Sequence, residues 1–205
     1  MKNPWEEINL HDYEGHMSLD SVMQLQTMNK IMRDQFYRYA VTTAMVLGIA
    51  GGNGLHNIKP ERFKKVYGVD INQAYLQECV ERYPTLRYVF TPIQCDLQSE
   101  TIVLPEAELA IANLIIEYVG YRNFQRAIQC IKPQYVSCVI QINTDDSFVS
   151  NSPYRQVFDR LDEVHRKIDK IGVIKSMGDF GYRLLYETDY PLPNGKEFLR
   201  FDFKN

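Results

Sequence analysis

Gly51, Gly52 and Gly54 follow directly on an apolar run at residues 46–49, and Asp70 closes the next such run at residues 65–70. Glycines let a chain turn sharply and bring its backbone close to a ligand, because no Cβ intervenes. A carboxylate at the tip of the neighbouring strand can accept hydrogen bonds from two ribose hydroxyls. Together these parts suit a nucleoside-containing cofactor. Asp96, Asn113, Glu117 and Tyr118 are further polar residues placed at or just past apolar stretches. The N-terminal segment adds pocket-forming side chains, namely Trp5, His11, Tyr13, His16, Met17, Phe36, Tyr37 and Tyr39.

The elements that must position these residues follow from periodicity and punctuation. Residues 18–39 read as a helix, with Ser18 as N-cap, Asp20 in the first turn, and Val22, Leu25, Met28, Ile31, Met32 and Phe36 at helical spacing. Strands are expected at 42–49, 65–70, 86–91, 107–113 and 135–142. Helices are expected at 55–63, limited by Pro60, then at 72–83, capped by Asn72, at 121–131, and at 154–171, closed by Gly172. The tail breaks this alternation. Runs at 181–190 and 196–203 flank Asn194-Gly195, a hairpin signal. The expected fold is α/β: a doubly wound, mostly parallel seven-stranded sheet ending in an antiparallel hairpin.

A chain of 205 residues suits one domain, with a helical segment at 1–41 and a cofactor-binding α/β core at 42–205. The net charge is -3 and no long basic block exists, so nucleic acid is not an expected partner. The start, MKNPWEEINLHDYEGHM, has no apolar core of a secretory leader, and no run of about 18 apolar residues occurs, so neither secretion nor a membrane span is expected. Cys79, Cys95, Cys130 and Cys138 lack CxxC spacing and read as reduced thiols of a cytoplasmic protein. His11, His16, His56 and His165 lack metal-ligand spacing, and no metal is expected.

Four motifs, VLGIAGGNG, VYGVDIN, IQCDLQS and LAIANLIIEYV, together with the terminal hairpin, make the chain resemble the class I S-adenosylmethionine-dependent methyltransferases. The resemblance implies a Rossmann-like methyltransferase with S-adenosyl-L-methionine as cofactor, an N-terminal helical lid, and a small-molecule methyl acceptor. By the same resemblance Ala50, Gly51, Gly52 and Gly54 would lie beside the methionine portion and ribose. Asp70, followed by Ile71, would hold the ribose hydroxyls. Asp96, with Leu97, would meet the adenine amino group, and Asn113 would stand next to the transferred methyl. Tyr13, His16 and Tyr118 are the candidate acceptor-side residues. His16, Glu117 and Tyr118 are candidate bases, needed only where the nucleophile must lose a proton.

Two positions depart from the family's pattern: Gly48 stands where an acid is usual, and Ala50 where the first motif glycine is usual. Asp12 or Glu14 could supply the missing carboxylate. NLIIEY is not the [DN]PPY pattern of enzymes that methylate nucleic-acid amino groups. Two other readings stay open: a catalytically inactive methyltransferase-like binding protein, and an NAD-dependent oxidoreductase. The latter wants a G-x-G-x-x-G turn, and position 57 is Asn57.

Overall fold

The computed structural model describes residues 2–143 and 148–205. Seven strands form one sheet: β1 (Thr43–Leu47), β2 (Lys65–Asp70), β3 (Phe90–Gln94), β4 (Leu109–Asn113), β5 (Tyr135–Ile142), β6 (Arg183–Pro191) and β7 (Glu197–Lys204). Their order is β3-β2-β1-β4-β5-β7-β6. The first five are parallel, while β7 pairs antiparallel with both β5 and β6. The expected fold class, including its C-terminal hairpin, is the observed one.

The central strand β1 (TAMVL) is buried at four of its five positions, as a strand covered on both faces must be. Met45 and Leu47 point into one apolar layer, and Ala44 and Val46 into the other. Helices α4 (Ile116–Ile131) and α5 (Lys170–Gly178) fill the first layer, while α2 (Gln24–Arg38) and α3 (Gln73–Arg82) fill the second. Pro92 is tolerated in β3 because that strand lies at the sheet edge. β2 and β4 leave β1 on opposite sides, so the carboxyl ends of β1 and β4 form the topological switch point where open α/β sheets bind ligands.

Several expected boundaries shift. The helix expected at 18–39 starts only at Gln24, as α2. A separate helix, α1 (Leu10–Ser18), precedes it, and between them lies a turn in which the Val22 and Met23 N–H groups both donate to the Leu19 carbonyl. Ser18 therefore ends a helix instead of capping one, and its hydroxyl donates back to the Gly15 carbonyl. Met23, at φ 54°, starts α2 without a side-chain cap. The helix at 55–63 reduces to one 3-10 turn, Leu55–Asn57. The side chain of Asn57 donates to the Gly54 carbonyl, and Pro60 disfavours helical geometry at Lys59. The third strand starts later than expected, after a 3-10 turn at Pro84–Leu86.

The helix at 121–131 begins one turn earlier, at Ile116, and Gly120 (φ 76°, ψ 165°) interrupts it. The helix at 154–171 is instead a 3-10 segment, Arg155–Glu163, a connection, and α5. Asp169 decides that break: its carboxylate accepts the Gly172 N–H at 2.8 Å and starts a new helix there. Gly172 thus sits inside α5, where a Cβ would collide with the Tyr121 hydroxyl, 2.1 Å away.

Candidate functional site

A cavity of about 140 Å³ opens at the switch point, lined by the tips of β1, β2, β4 and β5. The N-terminal segment and the 3-10 segment Arg155–Glu163 close over it. They share a small apolar cluster of their own, built on Ile8, Phe158 and Leu161, and an ion pair between Glu7 and Arg160. Trp5 meets Tyr13 edge-on at 5.7 Å and Tyr118 at 4.9 Å, so the covering segment and the rim after β4 are joined by aromatic contacts.

Asp70 ends β2 inside this cavity. One of its oxygens accepts the Ala50 N–H and the other the Asn72 N–H, each at 2.9 Å. The carboxylate thereby ties the glycine-rich turn to the second strand. A carboxylate offers about four lone-pair sites in all, so acceptor capacity remains on Asp70. Burial raises the pKa of Asp70, against the opposing pull of the backbone N–H groups of Asn72, Ala50 and Ile71. Ala50, Ile71, Asp96, Leu97 and Asn113 also line the cavity.

The remaining expected site residues are placed differently. Gly51 lines a smaller neighbouring cavity with Glu14. Gly52 and Gly54 line neither cavity: Cβ atoms there would run into Leu55 and Tyr83, and into Met32. Their bareness serves the packing of α3 and α2 against the turn. Asp96 is exposed and accepts the Gln98 N–H in a local turn at 2.8 Å. Asn113 exchanges two hydrogen bonds with Gln35, both 2.9 Å, so its amide is held by α2.

Three residues were candidate bases, and their surroundings separate them. The His16 Nδ1 is 2.7 Å from the Ser152 hydroxyl. Burial, reinforced by the charge of Lys196, lowers its pKa to about 4. The ring is neutral at pH 7 and a feeble proton acceptor. Tyr118 is pushed well above the ordinary phenol range by burial and then by the charge of Glu117. Glu117 differs from both. It is 5% exposed; one oxygen accepts the Gln141 N–H at 2.8 Å, and the other has no hydrogen-bond partner. Burial raises its pKa to about 7, where a general base works best.

Sequence reasoning passed over Gln141, Tyr75, Phe158 and His165, which also line the cavity. Gln141 had a readable signal, as a polar residue at the carboxyl end of an apolar parallel strand. His165, stacked on Phe148 at 3.9 Å, follows the 3-10 segment and had none.

No protein-family model matches this chain, and no curated protein matches it in sequence. Solved structures do match. The N-methyltransferase NodS from Bradyrhizobium japonicum WM9, in complex with S-adenosyl-L-homocysteine, superposes with a TM-score of 0.69 over 100% of this chain and 99% of that one, at 11% identity. The methyltransferase domain of a bacterial Hen1 gives 0.63 over 96% and 98%, at 16% identity. The fold is that of the class I S-adenosylmethionine-dependent methyltransferases. The cyclase SpnF shares it, with a TM-score of 0.67 over 90% and 82% at 10% identity, so a methyltransferase fold does not by itself fix the reaction.

The structure accounts for the departure from the methyltransferase pattern at position 48. Gly48 has φ 69°, and a Cβ there would lie 3.0 Å from Ile115. An aspartate or glutamate would be strained in this loop whatever its use. Of the two suggested substitutes, Asp12 points to His11 at the surface. Glu14 packs on Gly51, where its carboxylate pairs with Arg82.

Proposed function

We propose that this chain is an S-adenosylmethionine-dependent methyltransferase acting on a small-molecule acceptor by in-line transfer. The observation that carries this reading is the convergence, in one cavity at the switch point, of Gly48 and Ala50 at the start of the glycine-rich turn, the Asp70 carboxylate and the buried, half-satisfied Glu117. The cofactor supplies an activated methyl on a sulfonium whose leaving group is a neutral thioether. Asp70, with acceptor capacity to spare, would hold the ribose hydroxyls. Ala50, Gly51 and Ile71 would line its path, Asp96 and Leu97 its adenine, and Asn113 the methyl end.

The chain's own work is then alignment and exclusion of water, worth several kcal/mol when the reacting groups are held in line. Tyr13, His16 and Tyr118 belong to the acceptor side in this reading, under an N-terminal lid. Glu117 is the base where a proton must leave. An acceptor of low molecular weight fits a covered, aromatic-rimmed cavity better than a nucleic acid does. Among the described residues no helix is long and apolar enough to cross a membrane, and the four free thiols support a cytoplasmic setting.

Calorimetric titration with S-adenosylmethionine, S-adenosylhomocysteine and NAD tests the reading. Heat from the first two alone is expected, and Asp70→Ala should weaken S-adenosylhomocysteine binding at least tenfold by removing charge-assisted hydrogen bonds. Asp70 also anchors Ala50 and Asn72, so the melting temperature of each variant is recorded alongside. A folded Asp70→Ala protein with undiminished affinity removes Asp70 from the site. Silence with all three ligands favours a binding module that has lost the cofactor.

A further inference from the structure

The charged side chains lining the cavity are Asp70, Asp96 and Glu117, and no lysine or arginine lines it among the described residues. Both lining imidazoles, His16 and His165, have their pKa values lowered by burial and add no compensating charge at neutral pH. Lys196 influences both rings electrostatically but does not line the cavity. Two residues that line the cavity each carry a buried polar atom without a hydrogen-bond partner: the Glu117 Oε2, an acceptor, and the Trp5 Nε1, a donor. Buried polar groups left unpaired are costly, so each would gain from a partner supplied at the cavity.

These groups set what the acceptor can be. A carboxylate or phosphate acceptor would enter a region of acidic charge with no cation to meet it, which is strongly unfavourable at low dielectric. A cation would find the Glu117 carboxylate and the aromatic walls of Trp5, Tyr118 and Phe158, which attract ammonium groups through their ring quadrupoles. Asp70 is engaged by the backbone of the turn, and Asp96 lies at the exposed end. Glu117 is therefore the buried charge available to the acceptor.

We propose that the acceptor is a small aromatic or alkyl amine that enters as its ammonium ion, is held by Glu117 against the Trp5 and Tyr118 rings, and is methylated on nitrogen. The proposal rests on the methyltransferase reading. The ammonium passes one proton to the Glu117 Oε2, giving a carboxylic acid and a neutral amine with a free lone pair. That lone pair forms the N–C bond while the S–C bond to the methyl breaks, and sulfur leaves as a neutral thioether. The proton on Glu117 then returns to water. The products are an N-methylammonium ion, the thioether and one proton, so charge balances.

Direct binding tests this with three probes of similar size, phenethylamine, phenethyl alcohol and phenylpropionate, titrated into the protein with S-adenosylhomocysteine present and again without it. Phenethylamine is expected to bind at least tenfold more tightly than phenylpropionate, with the alcohol between them. In Glu117→Gln the amine should weaken about tenfold and its advantage over the carboxylate should vanish. Trp5→Phe should weaken the probes without reversing their order. Equal or tighter binding of phenylpropionate overturns the proposal, as does absence of binding by all three, or an unchanged ratio in a folded Glu117→Gln protein. The wild-type ranking needs no variant, so misfolding cannot hide the answer. If S-adenosylhomocysteine fails to bind while the amine preference holds, the cofactor reading has failed and the cation site stands.

Discussion

Two of the buried carboxylates, Asp202 and Glu117, are opposites. Asp202, in β7, is 0% exposed, and both its oxygens are fully engaged. One accepts from the Ser137 hydroxyl and the Arg200 Nε, the other from an Arg200 terminal nitrogen and the Tyr39 hydroxyl. Arg200, itself wholly buried, reaches on to Asp34. Glu117, at the opposite end of β5, has one backbone N–H, no cation, and an oxygen with nothing bonded to it. A buried charge with its complement complete is architecture. One left incomplete beside a cavity is reserved for something that comes and goes. The boundary between the two regions runs through Gln35, which bonds both Ser137 and Asn113, so the tip of β4 is anchored by the structural network.

The largest expected effect breaks the finished side. Asp202→Ala leaves Arg200 buried with only the exposed end of Asp34 to pair with, and loss of one member of a buried pair costs roughly 3–5 kcal/mol. Urea unfolding should show that loss. A change under about 1 kcal/mol would mean that the network is not structural and the contrast is empty.

The unfinished side should behave in the reverse manner. Glu117 has a folded pKa of about 7 against an ordinary value of 4.5. Between those values the folded protein holds a proton that the unfolded chain has released, so this group's contribution to stability falls as pH rises through the window and levels off above about pH 7. The integral is on the order of 3 kcal/mol. Glu117→Gln removes it, keeping an acceptor for the Gln141 N–H, and should be more stable than wild type at pH 8 and nearly equal at pH 4.5.

His16 runs the other way. Its folded pKa of about 4 lies below the ordinary 6.5, so the unfolded chain binds the extra proton and stability rises with pH across that window. In the wild-type protein the two slopes oppose each other between about pH 4.5 and 6.5. Glu117→Gln should uncover a rising curve, and His16→Gln a falling one. Parallel curves for both variants would show that neither group titrates as its burial implies.

The same contrast marks what could be read from sequence. The sheet was legible because its strands are apolar runs bounded by glycine, proline and asparagine, and those local signals survive in the fold. Asp70 was legible as a polar residue at a strand tip, and Glu117 as one just past the tip at Asn113. The cover over the site was not, since Ser18 and the stretch 154–171 satisfy helical patterning while tertiary contacts impose a turn after α1 and a 3-10 segment. The Asp202–Arg200 network was also invisible. Alternation in FLRFDFK marks a strand, but nothing in it says that Arg200 and Asp202 point inward to meet each other.

The smallest expected effect tests whether the unfinished side is tuned or merely depleted. Gly48→Asp installs the acid that the methyltransferase pattern usually carries. Two costs oppose it. The backbone stands at φ 69°, which charges a residue with a Cβ roughly 1–2 kcal/mol, and that Cβ would press on Ile115 at 3.0 Å. The new carboxylate would also join Asp70, Asp96 and Glu117 in a cavity without a lining lysine or arginine among the described residues. Gly48→Ala carries the strain alone, so the difference between the two variants isolates the charge. Both should lose about 1–2 kcal/mol in urea unfolding, and Gly48→Asp should bind S-adenosylhomocysteine no better than Gly48→Ala. A gain of tenfold or more for the aspartate would mean that the cofactor's ammonium lacks a partner here. Position 48 would then be a true gap in the site, and Glu14, on the far side of Gly51, would not be filling it.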